Sequence, residues 1–129
     1  MAQMKVMVVD DERDIKPLFE QKFRKELRSG DFEFFFVYSA EEALQSLKEF
    51  GKGGIVLILS DINMPGMNGL ILLKMLKEQY PDLKVFMVTA YGDEQNYQAA
   101  KAYGADNFLS KPIDFDHLKE LMAGARNHT

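Results

Sequence analysis

Four short apolar runs, each followed by polar residues, are the feature of the sequence that restricts the fold of this chain most. The runs comprise residues 6–9, 55–59, 85–88 and 107–109. They are followed, in that order, by Asp10 and Asp11, by Ser60 and Asp61, by Thr89, and by Ser110, Lys111 and Pro112. Short runs rich in β-branched residues and separated by helical patterns are typical of buried strands in a parallel sheet. The sequence therefore predicts such a sheet, with polar groups at the ends of its strands.

Helical patterns separate these runs. Residues 14–28 carry an apolar stripe at helical spacing, and the aromatic run over residues 32–38 predicts one more strand. Ser39, with Glu42 three residues later, is a capping-box signature for a helix that runs to about residue 50. Further helices are predicted to begin after Gly69, after Asp93, and after either Asp114 or Asp116.

A single domain accounts for the whole chain in this prediction. The 129 residues would form one unit with its core at about residues 5–126, and five strand–helix pairs predict a doubly wound α/β fold with helices on both faces. Twenty acidic against sixteen basic residues give a net charge of −4, which argues against a nucleic-acid surface. The sequence contains no cysteine, so disulfides, thiol catalysis and thiolate metal sites are excluded.

No stretch of the sequence is predicted to enter a membrane. A spanning helix needs about 20 predominantly apolar residues, and no apolar run approaches that length. The first predicted strand begins within a few residues of Met1 and leaves no room for a signal peptide. We therefore expect a cytoplasmic protein.

The polar residues at the strand ends form the candidate functional site. Groups at the carboxyl ends of parallel strands converge on one edge of the sheet, where ligands bind. Asp10, Asp11, Asp61, Thr89 and Lys111 would therefore share one pocket. Carboxylates this close repel each other unless a cation compensates. Mg²⁺ fits this role because it takes hard oxygen ligands and acts together with phosphate.

Each of these residues also has an ordinary structural interpretation when it is taken alone. Asp10 and Asp11 could cap a helix, Asp61 could form a turn, Thr89 could cap a helix, and Lys111 could be a solvated surface charge. Their combination favours a functional site, because groups with complementary chemistry end four different predicted strands.

The order of the motifs resembles the receiver domains of two-component response regulators, of the chemotaxis-regulator type. The matching stretches are MVVDDE at 7–12, SDINMPGMNG at 60–69, VTA at 88–90 and GADNFLSKP at 104–112. The resemblance extends from Lys5 to about Ala125. It implies a flavodoxin-like (βα)₅ fold with the strand order 2-1-3-4-5.

The resemblance implies a role for each strand-end residue. Asp61 would be the phosphoacceptor, taking a phosphoryl group from the phosphohistidine of a sensor histidine kinase or a histidine phosphotransfer protein. Mg²⁺ would be held by Asp11, Asp61 and the backbone carbonyl of Asn63, with Asp10 contributing through water. Lys111 would neutralise charge on the phosphoryl group. The protein would then catalyse only its own phosphorylation and dephosphorylation.

The same resemblance implies a conformational switch. Thr89 would hydrogen-bond the phosphoryl group and the Phe108 ring would move inward behind it, which would control an output domain or a partner protein. Phe108 could otherwise be a plain core residue. Asn63 and Tyr91 would tune the lifetime of the phosphate, and Tyr91 could equally pack on its loop. The bond before Pro112 is expected to be cis.

Other functions fit the residues less well. A phosphatase of the haloacid dehalogenase type would carry Asp-x-Asp at its nucleophile, where this chain has Asn63. A flavin mononucleotide carrier would need a hydroxyl- and glycine-rich loop where residues 10–12 are acidic. A receiver fold that docks partners without being phosphorylated stays open. His117 and Leu121 stand where many DNA-binding regulators place a dimer salt bridge, so that dimer is not expected.

Overall fold

A five-stranded parallel sheet forms the centre of the molecule in a computed structural model that describes residues 3–51, 53–90 and 92–127. The strands are β1 (Met4–Val9), β2 (Phe32–Val37), β3 (Ile55–Asp61), β4 (Lys84–Ala90) and β5 (Asn107–Lys111). They lie in the order β2-β1-β3-β4-β5, and every neighbouring pair is parallel. The predicted flavodoxin-like order is therefore confirmed.

Helices connect the strands and cover both faces of the sheet. They are α1 (Ile15–Lys22), α2 (Arg24–Ser29), α3 (Ala40–Phe50), α4 (Gly69–Gln79), α5 (Glu94–Ala102) and α6 (Phe115–Asn127). The prediction of one continuous helix over residues 14–28 is wrong at Phe23, whose dihedral angles of −108° and 22° separate α1 from α2. The Phe23 N–H still bonds the Phe19 carbonyl at 2.8 Å. The interruption is therefore a local distortion around a fully buried aromatic residue.

Side-chain caps fix where several helices begin. Ser39 Oγ accepts a hydrogen bond from the Glu42 N–H at 3.0 Å, and the Asp93 side chain caps α5, so both predicted caps are confirmed. Asp114 rather than Asp116 precedes α6, because Asp114 Oδ1 accepts the N–H of Asp116 at 3.1 Å.

The core is divided by the sheet into two layers. Side chains alternate along each strand, so Val6 and Val8 of β1 pack under α1, α2 and α6, whereas Met7 and Val9 pack under α3, α4 and α5. The first layer is dominated by phenylalanine. The Phe19 ring lies 5.2–6.0 Å, centroid to centroid, from the rings of Phe23, Phe34, Phe36 and Phe115.

The loop after β3 is closed tightly against the end of that strand. The Gly69 N–H donates to the Ile62 carbonyl at 2.8 Å, and a side chain at position 69 would collide with the carbonyl oxygen of Asp61. Only glycine fits there, so the loop is held against Asp61.

Within the residues that the structure describes, none of the helices is long and apolar enough to cross a membrane.

Candidate functional site

Three carboxylates meet at the carboxyl edge of the sheet, as predicted. Asp10 and Asp11 follow β1 and Asp61 is the last residue of β3; one oxygen of each lies within 4.8 Å of the other two. Asp10 and Asp61 are only 5% and 4% exposed, whereas Asp11 is exposed. The cluster therefore has a buried floor and an open side. Its hard oxygen donors fit the ligand preference of Mg²⁺, which also keeps several waters.

Lys111, the last residue of β5, lies against this cluster. Its Nζ donates to Asp61 Oδ2 at 2.8 Å, and it lies 3.8 Å from Asp10 Oδ2 and 3.9 Å from Glu12 Oε1. Partial burial lowers the pKa of Lys111, but the hydrogen bond and charge of Asp61, with the charges of Asp10 and Glu12, outweigh burial and raise that pKa overall. Lys111 therefore stays positively charged at neutral pH.

Asp10 is held in an unfavourable environment for a carboxylate. Burial raises the pKa of Asp10, and the nearby charges of Asp61 and Glu12 act in the same direction. The Glu12 N–H, which donates to Asp10 Oδ1 at 2.9 Å, and the ammonium of Lys111 offset only part of this effect. The cluster thus carries more negative charge than the protein itself compensates.

Thr89 lies at the end of β4, next to the strand that carries Asp61. The sheet register pairs Asp61 with Val88, which places the following residue, Thr89, at the same edge. Thr89 is buried, and its Oγ1 donates to the Ala90 carbonyl at 3.3 Å. The hydroxyl therefore lies at the predicted edge of the sheet and points toward the carbonyl of the next residue, Ala90.

Two of the remaining predicted residues, Asn63 and Phe108, lie among those that the structure describes. Asn63 is exposed in the loop after Asp61, and Phe108 is half-buried in β5. The peptide bond between Lys111 and Pro112 is cis, as expected. Tyr91 lies outside the residues that the structure describes.

The structure also places side chains near the site to which the sequence analysis gave no role. Glu12 contributes a third carboxylate to the surroundings of Lys111, and its position beside the acidic pair could have indicated this. Glu41, in α3, accepts a hydrogen bond from the Met67 N–H at 3.1 Å and so anchors the loop after Asp61. The sequence gives no signal for that contact, because it joins residues 26 positions apart.

Comparison with known proteins agrees with this geometry. The family model of the response regulator receiver domain matches residues 6–123. The chain belongs to the response regulator receiver domain family. This receiver is 37% identical over 119 residues to the response regulator protein FleR of Pseudomonas aeruginosa, covering 92% of the chain and 24% of FleR. It is 32% identical over 122 residues to sporulation initiation phosphotransferase F of Bacillus subtilis, covering 95% of the chain and 93% of that protein.

A solved structure matches the receiver over almost its full length. The response regulator protein TrrA of Thermotoga maritima, in complex with Mg²⁺ and BeF, superposes with a TM-score of 0.76 and 32% identity, covering 95% of this chain and 99% of TrrA. The receiver thus corresponds to nearly all of TrrA and of phosphotransferase F, but to only about a quarter of the length of FleR. The resemblance inferred from the four motifs is confirmed.

Proposed function

We propose that this receiver accepts a phosphoryl group on Asp61 from the phosphohistidine of a sensor histidine kinase or a histidine phosphotransfer protein. The observation that carries the proposal is the position of Asp61: a buried carboxylate at the open edge of the sheet, 2.8 Å from the ammonium of Lys111 and beside Asp10 and Asp11. An aspartate that was only structural would not need two further carboxylates beside it, since like charges this close repel each other.

Asp61 is the nucleophile in this reaction. One oxygen, Oδ2, is engaged by Lys111, which leaves Oδ1 to attack phosphorus. The new bond from Asp61 oxygen to phosphorus forms as the bond from phosphorus to the donor imidazole nitrogen breaks, and the imidazole nitrogen takes the electron pair of that bond. Lys111 stabilises the negative charge on the phosphoryl oxygens as it is transferred.

Magnesium is the proposed cofactor. Asp11, Asp61 and the backbone carbonyl of Asn63 are the proposed ligands, with Asp10 acting through a bound water. Support comes from the three clustered carboxylates and from the relative TrrA, which was solved with Mg²⁺ and BeF. When bound, Mg²⁺ would neutralise charge on the phosphoryl oxygens. The pKa of Asp10 is raised because its negative charge is unfavourable in this pocket, and a bound cation would stabilise that charge.

The proposed output is a change at Thr89 and Phe108. After phosphorylation, the Thr89 hydroxyl leaves the Ala90 carbonyl and bonds a phosphoryl oxygen, and the Phe108 ring moves into the space behind it. Asn63 and Tyr91 are proposed to set how quickly water reaches the phosphoryl group. The switched surface would act on an output domain or on a separate partner protein.

Incubation with Mg²⁺ and a small acyl phosphate tests the assignment of Asp61. Wild-type protein is expected to gain the mass of one phosphoryl group, whereas Asp61→Asn gains none. Asp82→Asn is the matched control, because Asp82 is an exposed aspartate in the turn before β4, away from the cluster. Phosphorylation of Asp61→Asn, or none of the wild type, would overturn the proposal, and the second result would favour a docking module that is not phosphorylated.

A further inference from the structure

Tyr97 packs against Phe108 and connects the two residues of the proposed switch. The rings meet edge to face, with centroids 4.8 Å apart and an angle of 67° between their planes. Phe108 belongs to β5 and Tyr97 lies near the start of α5. We propose that Tyr97 is a positioning residue that holds the Phe108 ring in its unphosphorylated position and passes a movement of Thr89 on to it. This inference rests on the proposed function and names the regulation of that same site.

Hydrogen bonds join Thr89 to Tyr97 through the beginning of α5. The Ala90 carbonyl accepts both the Thr89 hydroxyl, at 3.3 Å, and the Asp93 N–H, at 3.1 Å. The Asp93 carbonyl in turn accepts the Tyr97 N–H at 3.1 Å. A rotation of the Thr89 hydroxyl toward Asp61 therefore removes one of the two donors from the carbonyl that anchors α5. The helix that carries Tyr97 is thus linked to Thr89 through hydrogen bonds that share the Ala90 carbonyl.

The sheet register brings Phe108 to the same region from the other side. Met87 pairs with Phe108, and Thr89 pairs with Ser110. Because side chains alternate along a strand, Thr89 and Phe108 point to the same face of the sheet on adjacent strands. That face is the one covered by α5, where Phe108 packs against the core layer that contains Met87. The space released by Thr89 thus lies on the side of the sheet that holds the Phe108 ring.

Tyr97 can favour the unphosphorylated position only through a contact that is lost when Phe108 moves. An edge-to-face ring pair contributes enough, beyond its burial, to change a two-state ratio by roughly two- to tenfold. Phe108 is only half-buried, and the edge-to-face pair with Tyr97 is one of the contacts that hold its ring beside those to the core layer. Since a phosphoryl analogue binds the switched position best, its apparent affinity rises by the same factor when the contact is removed.

Three variants of Tyr97 separate the ring contact from mere filling of space. Tyr97→Ala removes the contact, Tyr97→Leu keeps an apolar side chain without the ring, and Tyr97→Phe keeps the ring. The matched control is Tyr103→Ala, because Tyr103 is an exposed tyrosine at the end of the same helix. Two quantities are measured: the NMR signals of the Phe108 ring in phenylalanine-labelled protein, with and without Mg²⁺ and beryllofluoride, and the affinity for beryllofluoride.

Tyr97→Ala and Tyr97→Leu are expected to shift the free-state Phe108 signals toward their beryllofluoride-bound positions and to raise beryllofluoride affinity roughly two- to tenfold. Tyr97→Phe and Tyr103→Ala are expected to match the wild type. An unchanged beryllofluoride affinity in a folded Tyr97→Leu variant would overturn the inference, as would an equal rise in the affinity of Tyr103→Ala. A failure of the proposed function would be seen separately, because the wild type would then bind no beryllofluoride.

Discussion

Replacing Asp10 with asparagine is expected to stabilise the magnesium-free receiver, although Asp10 belongs to its proposed functional site. Asp10 is 5% exposed, and one of its oxygens lies within 4.8 Å of an Asp61 oxygen. At an effective dielectric constant of about 20, charges 4.8 Å apart repel by about 3.5 kcal/mol, whereas the 3.8 Å pair with Lys111 attracts by about 4.4 kcal/mol. Lys111 is 35% exposed, so solvent weakens that attraction. The two charge effects nearly cancel, and the burial of the Asp10 charge decides the sign.

Asparagine removes this charge with little other change. It has nearly the same shape, and its side-chain oxygen can still accept the Glu12 N–H, which bonds Asp10 at 2.9 Å. We expect a gain of about 1–2 kcal/mol in the free energy of unfolding, which for a domain of this size raises the melting temperature by roughly 3–10 °C. Calorimetry at neutral pH in the presence of a chelator measures the gain. Asp82→Asn is again the control, and a folded Asp10→Asn protein that melts below the wild type would refute the reasoning.

The pH dependence of this gain provides an independent check. Folding raises the pKa of Asp10, so the native protein keeps a proton at pH values where the unfolded chain has lost it. The contribution of Asp10 to wild-type stability therefore falls as the pH rises from 3.8, the ordinary value, through the raised pKa. The advantage of Asp10→Asn is expected to be complete above that pKa and to disappear as the pH approaches 3.8. An equal advantage at acidic and neutral pH would point to another cause.

Two further substitutions test other parts of the molecule. Asp106→Ala removes the carboxylate that accepts the buried Val85 N–H at 2.8 Å and pairs with Lys77 at 2.6 Å. Urea titration should show that this variant loses about 1–3 kcal/mol in the free energy of unfolding. The control variant Asp82→Ala should change little. Tyr91→Ala is expected to change the rate of autodephosphorylation by more than a few-fold, measured as loss of the phosphoryl group after the donor is removed, and an unchanged rate would contradict this role.

The sheet and the meeting of Asp61 with its neighbours were predictable because both follow from general rules. Parallel strands place their carboxyl ends at one edge, so a polar residue at the end of a buried run has its position fixed by the chain pattern alone. The interruption at Phe23 was not predictable, because an apolar residue at helical spacing gives no sign that its backbone departs from the helix. The hydroxyl orientation of Thr89 and the bond from Met67 to Glu41 depend on tertiary contacts that no local pattern encodes.

The charge balance of the pocket gives one physical reason that would couple the proposed metal binding, phosphorylation and switch at Thr89. Three carboxylates beside one ammonium give the cluster a net charge of −2, and a phosphoryl group would add negative charge to it. A divalent cation in the cluster would balance the resting charge, and phosphorylation would then create a new excess of negative charge that favours a hydrogen bond from a nearby donor. The Thr89 hydroxyl can respond at low cost, because the Ala90 carbonyl that it leaves keeps its bond from the Asp93 N–H. The resting position of Thr89 is therefore one that the protein can give up without leaving the Ala90 carbonyl unpaired.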